Sequence, residues 1–260
     1  MKRLQGWGNP ETDYPVPEPA KKFLFEVLGK PLTLKDAEPE QLIKKVPCSR
    51  LKPHLLISTD PLDRLAHARG QSTNDWVDMR DGLINSFPDG VAYPHDTEEV
   101  ADLIDYAKKS GCHIIPYGGG SSVVGHLTPL SSDRPTLSVD MTHMHKVLEI
   151  NDNDMTARIQ CGASGPQLEG ELNKAGYLLG HFPQSWEYST LGGWIVTRSV
   201  GQQSYYYGRI EPLFAGGHLK TAVGDMELPV IPKSAAGTDL KEWVLGSEAR
   251  YGILTLSLIH

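Results

Sequence analysis

The sequence predicts an α+β fold, and three observations lead there. Helical and extended stretches follow one another without the strict alternation of a doubly wound sheet. Two pairs of extended runs read as antiparallel hairpins, 147–150 with 155–161 and 213–222 with 226–230. The β-branched pair Ile114-Ile115 runs into Pro116 and then three glycines and two serines, a loop set at the end of a strand.

Taken in order, Pro10, Pro15, Pro17 and Pro19 crowd the start, which is expected to be extended. A helix over 20–28 is closed by Gly29 and Pro31, and short helices and loops follow to about Asn85. Residues 1–85 are expected to form an N-terminal extension wrapping the main domain. The clearest helix runs from Glu98 to Ser110, with Val100, Leu103, Ile104 and Ala107 on one face. Asp96 or Thr97 can cap it, Asp96 with Glu99 reads as a capping box, and Gly111 can close it. Strand 113–115 enters the glycine loop, and 136–139 is another strand. The first hairpin turns at Asn151-Asp152-Asn153-Asp154, with Met155, Ala157 and Ile159 alternating with Thr156, Arg158 and Gln160. Pro166 opens a helix at its favoured first turn, with Leu168, Leu172 and Ala175 as its buried stripe and Gly176 at its end. A short helix from Leu191 to Arg198 is capped by Thr190. The second hairpin turns at Val223-Gly224-Asp225, 240–245 is helical, and 253–259 is a strand.

The composition narrows the function. The 260 residues suffice for one large domain or two small ones, and 39% hydrophobic with 22% charged residues is a soluble globular mix. No apolar run approaches the roughly 20 residues a bilayer span needs. The first residues hold no apolar segment of a secretory signal, and the last match no peroxisomal or retention tail. A net charge of −7 argues against a nucleic-acid partner. The three cysteines, Cys48, Cys112 and Cys161, have no metal-type spacing, and so sparse a set fits a reducing, cytoplasmic setting.

The glycine loop carries the most chemistry. Glycine admits positive φ and lets a ligand reach main-chain N–H groups, so such a loop can form an anion-binding nest. A Walker loop needs a lysine and a hydroxyl residue after its last glycine, whereas Ser121-Ser122-Val123 follows here. A Rossmann turn needs a third glycine opening a helix where Val123 stands, although Asp140 lies near the position of its ribose-binding acid. A nucleotide or dinucleotide cradle and a tight surface turn both remain open on this loop alone.

Two further segments bear on that choice. One is Pro183-Gln184-Ser185-Trp186-Glu187-Tyr188-Ser189-Thr190-Leu191-Gly192-Gly193-Trp194, and the other Leu245-Gly246-Ser247-Glu248-Ala249-Arg250-Tyr251-Gly252-Ile253. With Pro116–Ser122 they resemble the flavin-binding (PCMH) domain of the vanillyl-alcohol oxidase type, most of all its alkyl-dihydroxyacetonephosphate synthase branch and bacterial FAD-linked oxidases. The resemblance covers about Asp63 to Thr255, and includes His67-Ala68-Arg69-Gly70-Gln71-Ser72 and Gly193-Trp194-Ile195-Val196-Thr197-Arg198-Ser199.

The resemblance implies a PCMH-type domain of two α+β subdomains, 86–145 with the glycine loop and 146–260, with FAD in the crevice between them. It implies that Pro116, Tyr117, Gly118, Gly119, Gly120, Ser121 and Ser122 cradle the pyrophosphate. Gln184, Ser185, Trp186, Glu187, Tyr188, Ser189, Thr190, Gly193, Thr197, Arg198, Ser199 and Val200 would lie along the ribityl chain and ring. Glu248, Ala249, Arg250, Tyr251, Gly252, Ile253 and Leu254 would approach with their backbone. Some relatives tether FAD through a histidine in or beside the loop. Gly120 and Ser121 stand there, so FAD is expected to be non-covalent, with His126 a loop or interface residue. A complete relative would oxidise a hydroxyl-bearing carbon, such as that of a hydroxy acid, by hydride transfer to flavin. Alternatively it would form an ether bond on a glycerone-phosphate ester, with flavin as carrier and no net oxidation. A non-catalytic flavin-binding fragment, or half of a split enzyme, is the alternative.

Three departures from the family pattern stand out. Ala249 replaces the second glycine of Gly-Ser-Glu-Gly, Lys233 stands where the ether-lipid enzymes place an arginine, and Thr238 replaces a proline before Asp239. Relatives also continue into a substrate cap, which is expected to be missing here, so a homodimer or a separate C-terminal half is a possible partner. No residue is assigned as the proton-transfer group. Among other tempting residues, His143-Met144-His145 read as solvent-facing turn residues, Tyr205-Tyr206-Tyr207 as packing over a sheet edge, Trp76, Val77 and Met79 as core, and Cys161 as a buried apolar side chain. Arg198 and Arg209 read equally as phosphate ligands or as structural ion pairs.

Overall fold

The computed structural model describes all residues except 1, 2, 4, 5, 7, 10, 12, 13, 33–35, 233 and 234, so Pro10 and Lys233 lie outside the described residues. Two sheets organise the chain. The first contains β1 (Ile57–Ser58), β2 (Gly90–Ala92), β3 (His113–Tyr117) and β4 (Thr136–Asp140), in the order β1-β2-β4-β3. β2, β4 and β3 run parallel, and β1 pairs antiparallel with β2. The second contains β5 (Val147–Asn151), β6 (Thr156–Gln160), β7 (Phe214–Thr221), β8 (Gly224–Leu228) and β9 (Ile253–Ile259). It is antiparallel throughout, in the order β5-β6-β9-β7-β8. The parallel pairing in one sheet and hairpins in the other give the α+β class.

The crossover from β2 to β3 is the helix Thr97–Ser110, which buries Val100, Leu103, Ile104 and Ala107 against Leu137 and Val139. Asp96 caps it by accepting from Glu99 N at 2.9 Å. The expected capping box does not close on itself: Glu99 Oε2 accepts from His95 N at 2.7 Å, one residue before the cap. The helix Gly165–Lys174 does have a full box between Ser164 and Gln167, with Pro166 in its first turn. Leu168 and Leu172 are buried as expected, but Ala175 is exposed because it is already the C-cap.

β9 is placed between β6 and β7. Thr156 and Gln160 of β6 are therefore buried along with Ala157 and Ile159, and the expected alternation is incomplete. The second hairpin turns at 222–223, one residue earlier than expected. Strand β2, too short to show a period, was not expected, and neither was the helical turn Ser204–Tyr207. Tyr205 and Tyr206 are fully or largely exposed rather than packed on a sheet edge, while Tyr207 lies against Gly180, where any Cβ would meet its ring. Met144 is buried between exposed His143 and His145, and Val77 is half exposed while Met79 is in the core.

The described residues up to 85 form short helices, loops and β1, with a small core of Leu42, Leu65, Ala68, Met79 and Ile84. The helix Glu18–Leu28 ends at Gly29 and buries none of its residues.

Candidate functional site

β3 delivers the chain to Gly118, and each glycine that follows has a reason to be glycine. Gly120 has φ of +69°. A Cβ on Gly118 would overlap Thr190 Oγ1, and one on Gly119 would overlap the Tyr188 carbonyl oxygen. The loop thus lies flat on the second segment, an approach that any side chain would block. From outside, Gln71 N donates to the Ser122 carbonyl at 2.6 Å. Among the described residues, the backbone N–H groups of Gly118, Gly120, Ser121 and Ser122 donate to no protein acceptor. Main-chain donors in such half-buried places are nearly always paired. A row of open donors along a loop suits an anion.

The second segment is fixed by local hydrogen bonds. Thr190 bridges to Ser164 and caps the helix Leu191–Val196. Trp194 Nε1 donates to Ser189 Oγ at 2.7 Å, and Ser189 Oγ donates to the Ser185 carbonyl at 2.8 Å. His181 is fully buried, with Nε2 at 2.6 Å from Ser199 Oγ. Burial lowers its pKa to about 4, against a smaller opposing pull from Glu211, so the ring is neutral near pH 7. The third segment is tied to the same helix by Glu248 N donating to Val196 O at 2.8 Å. Glu248 and Ala249 both have positive φ, 51° and 61°. Ala249 thus occupies the left-handed region that glycine tolerates better, by about 1 kcal/mol.

The three segments face one cleft of about 370 Å³. Pro116, Tyr117, Gly118, Gly119, Gly120, Ser121 and Ser122 line it, with Ser185, Ser189, Thr190, Gly193, Thr197 and Ser199 from the second segment and Glu248, Ala249, Ile253 and Leu254 from the third. Gln184, Trp186, Glu187, Tyr188, Arg198, Val200, Arg250, Tyr251 and Gly252 do not line it. Gln184, Glu187, Val200, Arg250 and Tyr251 are exposed. Arg198 is committed to Glu242 at 2.7 Å and to Glu211 at 3.5 Å, and Arg209 to Glu211 at 3.1 Å, so both arginines are in structural ion pairs. Gly252 has a packing role, since a Cβ there would overlap the Lys220 carbonyl oxygen.

The lining also includes Val123, Val124, His126, Leu127, Met141, Cys161, Pro183 and Trp194. Met141 and Cys161 belong to chain segments with no motif of their own, so only the folded chain brings them here. Cys161 is buried as expected, and burial pushes its thiol far above the usual range.

A second chamber of about 340 Å³ touches the glycine loop and is lined by His67, Arg69, Gln71, Tyr117, Asp140 and Tyr188, among others. His67 Nδ1 lies 2.8 Å from the Asp63 carbonyl and Nε2 2.8 Å from Asp140 Oδ2. Both partners are oxygens, so the ring is held from both sides. Asp140 also accepts from Thr142 N at 2.8 Å, and no helix opens after Gly120, so the Rossmann arrangement is excluded.

Comparison with known proteins gives a consistent picture. A family model described as "FAD binding domain" matches residues 88–227. The chain is similar to alkyldihydroxyacetonephosphate synthase of Dictyostelium discoideum, 44% identical over 199 residues, which is 76% of this chain and 33% of that protein. It is also similar to the uncharacterized FAD-linked oxidoreductase YgcU of Escherichia coli K12, 31% identical over 169 residues, 65% of this chain and 34% of that protein. A solved alkyldihydroxyacetonephosphate synthase superposes with a TM-score of 0.85 at 33% identity, covering 99% of this chain and 54% of that one. The chain thus spans about a third of the length of these curated relatives and about half of the solved one.

Proposed function

Since this chain belongs to the FAD-binding domain family, with FAD as its cofactor, we propose that the 370 Å³ cleft is where FAD lies. The observation that carries this reading is the open row of N–H donors at Gly118, Gly120, Ser121 and Ser122. These donors would hold the diphosphate. The hydroxyls of Ser185, Ser189, Thr190, Thr197 and Ser199 would meet the ribityl oxygens, and Glu248 to Leu254 would close the cleft with backbone. FAD binds without a covalent link, since Gly120 and Ser121 offer no nucleophilic ring at the loop. Residues 86–145 and 146–260 act as the two halves of the domain, with 1–85 as an extension whose β1 adds an edge strand to the sheet of the first half.

When bound, FAD supplies redox or group-carrying chemistry. The protein's part is to bind, orient and shield it. The substrate class is small: a hydroxy acid, as for the FAD-linked oxidoreductases, or a glycerone-phosphate ester, as for the synthases. No helix among the described residues is long and apolar enough to cross a membrane. A cytoplasmic location fits the three free cysteines.

The test is titration of FAD into the purified chain, followed by flavin fluorescence. One FAD per chain is expected, released intact on denaturation. Gly119→Ala is expected to lose binding by at least about tenfold, because the new methyl group displaces the loop from Tyr188. Failure of the unaltered chain to bind, or a flavin that stays attached after denaturation, overturns the corresponding part of this reading.

A further inference from the structure

The cleft that receives a diphosphate has an unusual charge balance. Among its described lining residues there is no lysine and no arginine. Its charged acid is Glu248, and its single group able to become a cation is His126. These two face each other across the cleft, His126 from the segment after the glycine loop and Glu248 from the third segment, with Nδ1 and Oε2 3.6 Å apart. That separation is too long for a hydrogen bond. On its own side, His126 Nδ1 lies 3.4 Å from Ser122 Oγ, at the end of the row of open N–H donors. Among the described residues Nε2 makes no hydrogen bond. The imidazole is therefore only loosely held and sits beside the expected anion.

We propose that His126 is an exchangeable cation for the cofactor's diphosphate, and that binding FAD draws one proton from solution onto its ring. This rests on the FAD reading of the cleft. While the imidazole lacks its second proton, the Glu248 carboxyl is the acidic group that an entering anion meets in the free site. On binding, the imidazole gains a proton, turns from Glu248 to a diphosphate oxygen and donates a charge-assisted hydrogen bond. The balance is one imidazole, one proton and one diphosphate giving one imidazolium–diphosphate pair, with no electron moved. The groups facing His126 are Glu248, the sole charged one within ion-pair distance among the described residues, and the hydroxyl of Ser122. Arg250, two residues beyond Glu248, is exposed and forms no ion pair with it. His67, beside the loop in the other chamber, is already paired with Asp140.

Calorimetric titration of the full chain with FAD, in two buffers of different ionisation enthalpy, counts the protons exchanged. Repeating it from roughly pH 6 to pH 8.5 brackets the usual imidazole value of about 6.5. The chain is expected to take up a fraction of a proton that passes through a maximum near neutral pH and falls away toward both ends of this range. Its affinity should fall by about tenfold as pH rises, the loss of one charge-assisted hydrogen bond. His126→Gln should bind FAD with the weaker, high-pH affinity at every pH and exchange no proton. Glu248→Gln should bind FAD more tightly than the unaltered chain. FAD binding with no proton uptake, or a His126→Gln profile that matches the parent, overturns this proposal and leaves the cofactor reading intact. Absence of FAD binding at every pH overturns both.

Discussion

Ala249 shows how much one methyl group decides. It follows Glu248, and both residues hold positive φ at the edge of the cleft. The backbone keeps the bend that glycine favours, although the sequence no longer supplies one. Ala249→Gly is expected to raise stability by about 1 kcal/mol, since glycine relieves the left-handed strain. Urea denaturation checks it, and no gain would mean that neighbouring contacts already absorb the strain. His126 is the converse case. Its residue type is ordinary for a loop, and its position opposite Glu248 becomes visible only when 126 and 248 are brought together.

Between elements, Asp89 does the connecting. It precedes β2 and is almost fully buried. Its carboxylate accepts from Arg50 Nε at 2.8 Å and Arg50 NH2 at 2.8 Å, from Arg50 N at 3.1 Å and from Thr136 N at the start of β4 at 2.8 Å. One side chain therefore pins the N-terminal segment to two strands. Burial by itself would raise its pKa, but these hydrogen bonds, led by Arg50, outweigh burial and hold it below the usual carboxylate range. The stabilisation is thus present above the unfolded value near pH 4 and is lost as pH falls through the lower folded value. Asp89→Asn is expected to destabilise by about 2–3 kcal/mol, the low end for a buried pair because Arg50 is partly exposed. Equilibrium denaturation at neutral pH tests this, and a loss under about 0.5 kcal/mol, the range of ordinary surface changes, would show that Asp89 is replaceable.

At the scale of the molecule, buried titratable groups in the second half add to the response to acid. The folded state keeps His181 neutral down to about pH 4, whereas an unfolded chain protonates it near 6.5. Stability is therefore full above about pH 6.5 and declines as pH falls toward 4, by up to about 3 kcal/mol at 1.36 kcal/mol per unit. Glu169, raised by burial, works in the opposite sense. The difference between the parent and His181→Gln isolates the histidine: melts at neutral and mildly acid pH should show a smaller acid loss in the variant. Equal losses would place the acid response elsewhere.

Much of this architecture could be read from local pattern. The helix Thr97–Ser110, both hairpins and the glycine bend after Ile115 were legible because periodicity, caps and turn residues act over a few positions. The three motif segments were legible for the same reason, each being a short stretch with tight steric demands, at Gly118 and Gly119 in the first, Gly192 in the second and Gly252 in the third. Pairing across distance was not. That β9 inserts between β6 and β7, that Met141 and Cys161 reach the cleft, that Arg198 turns to Glu242, and that Tyr205 and Tyr206 face solvent depend on which surfaces meet after collapse. Those contacts join residues tens of positions apart, and burial and charge pairing there are properties of the assembled neighbours, which no local window of sequence contains.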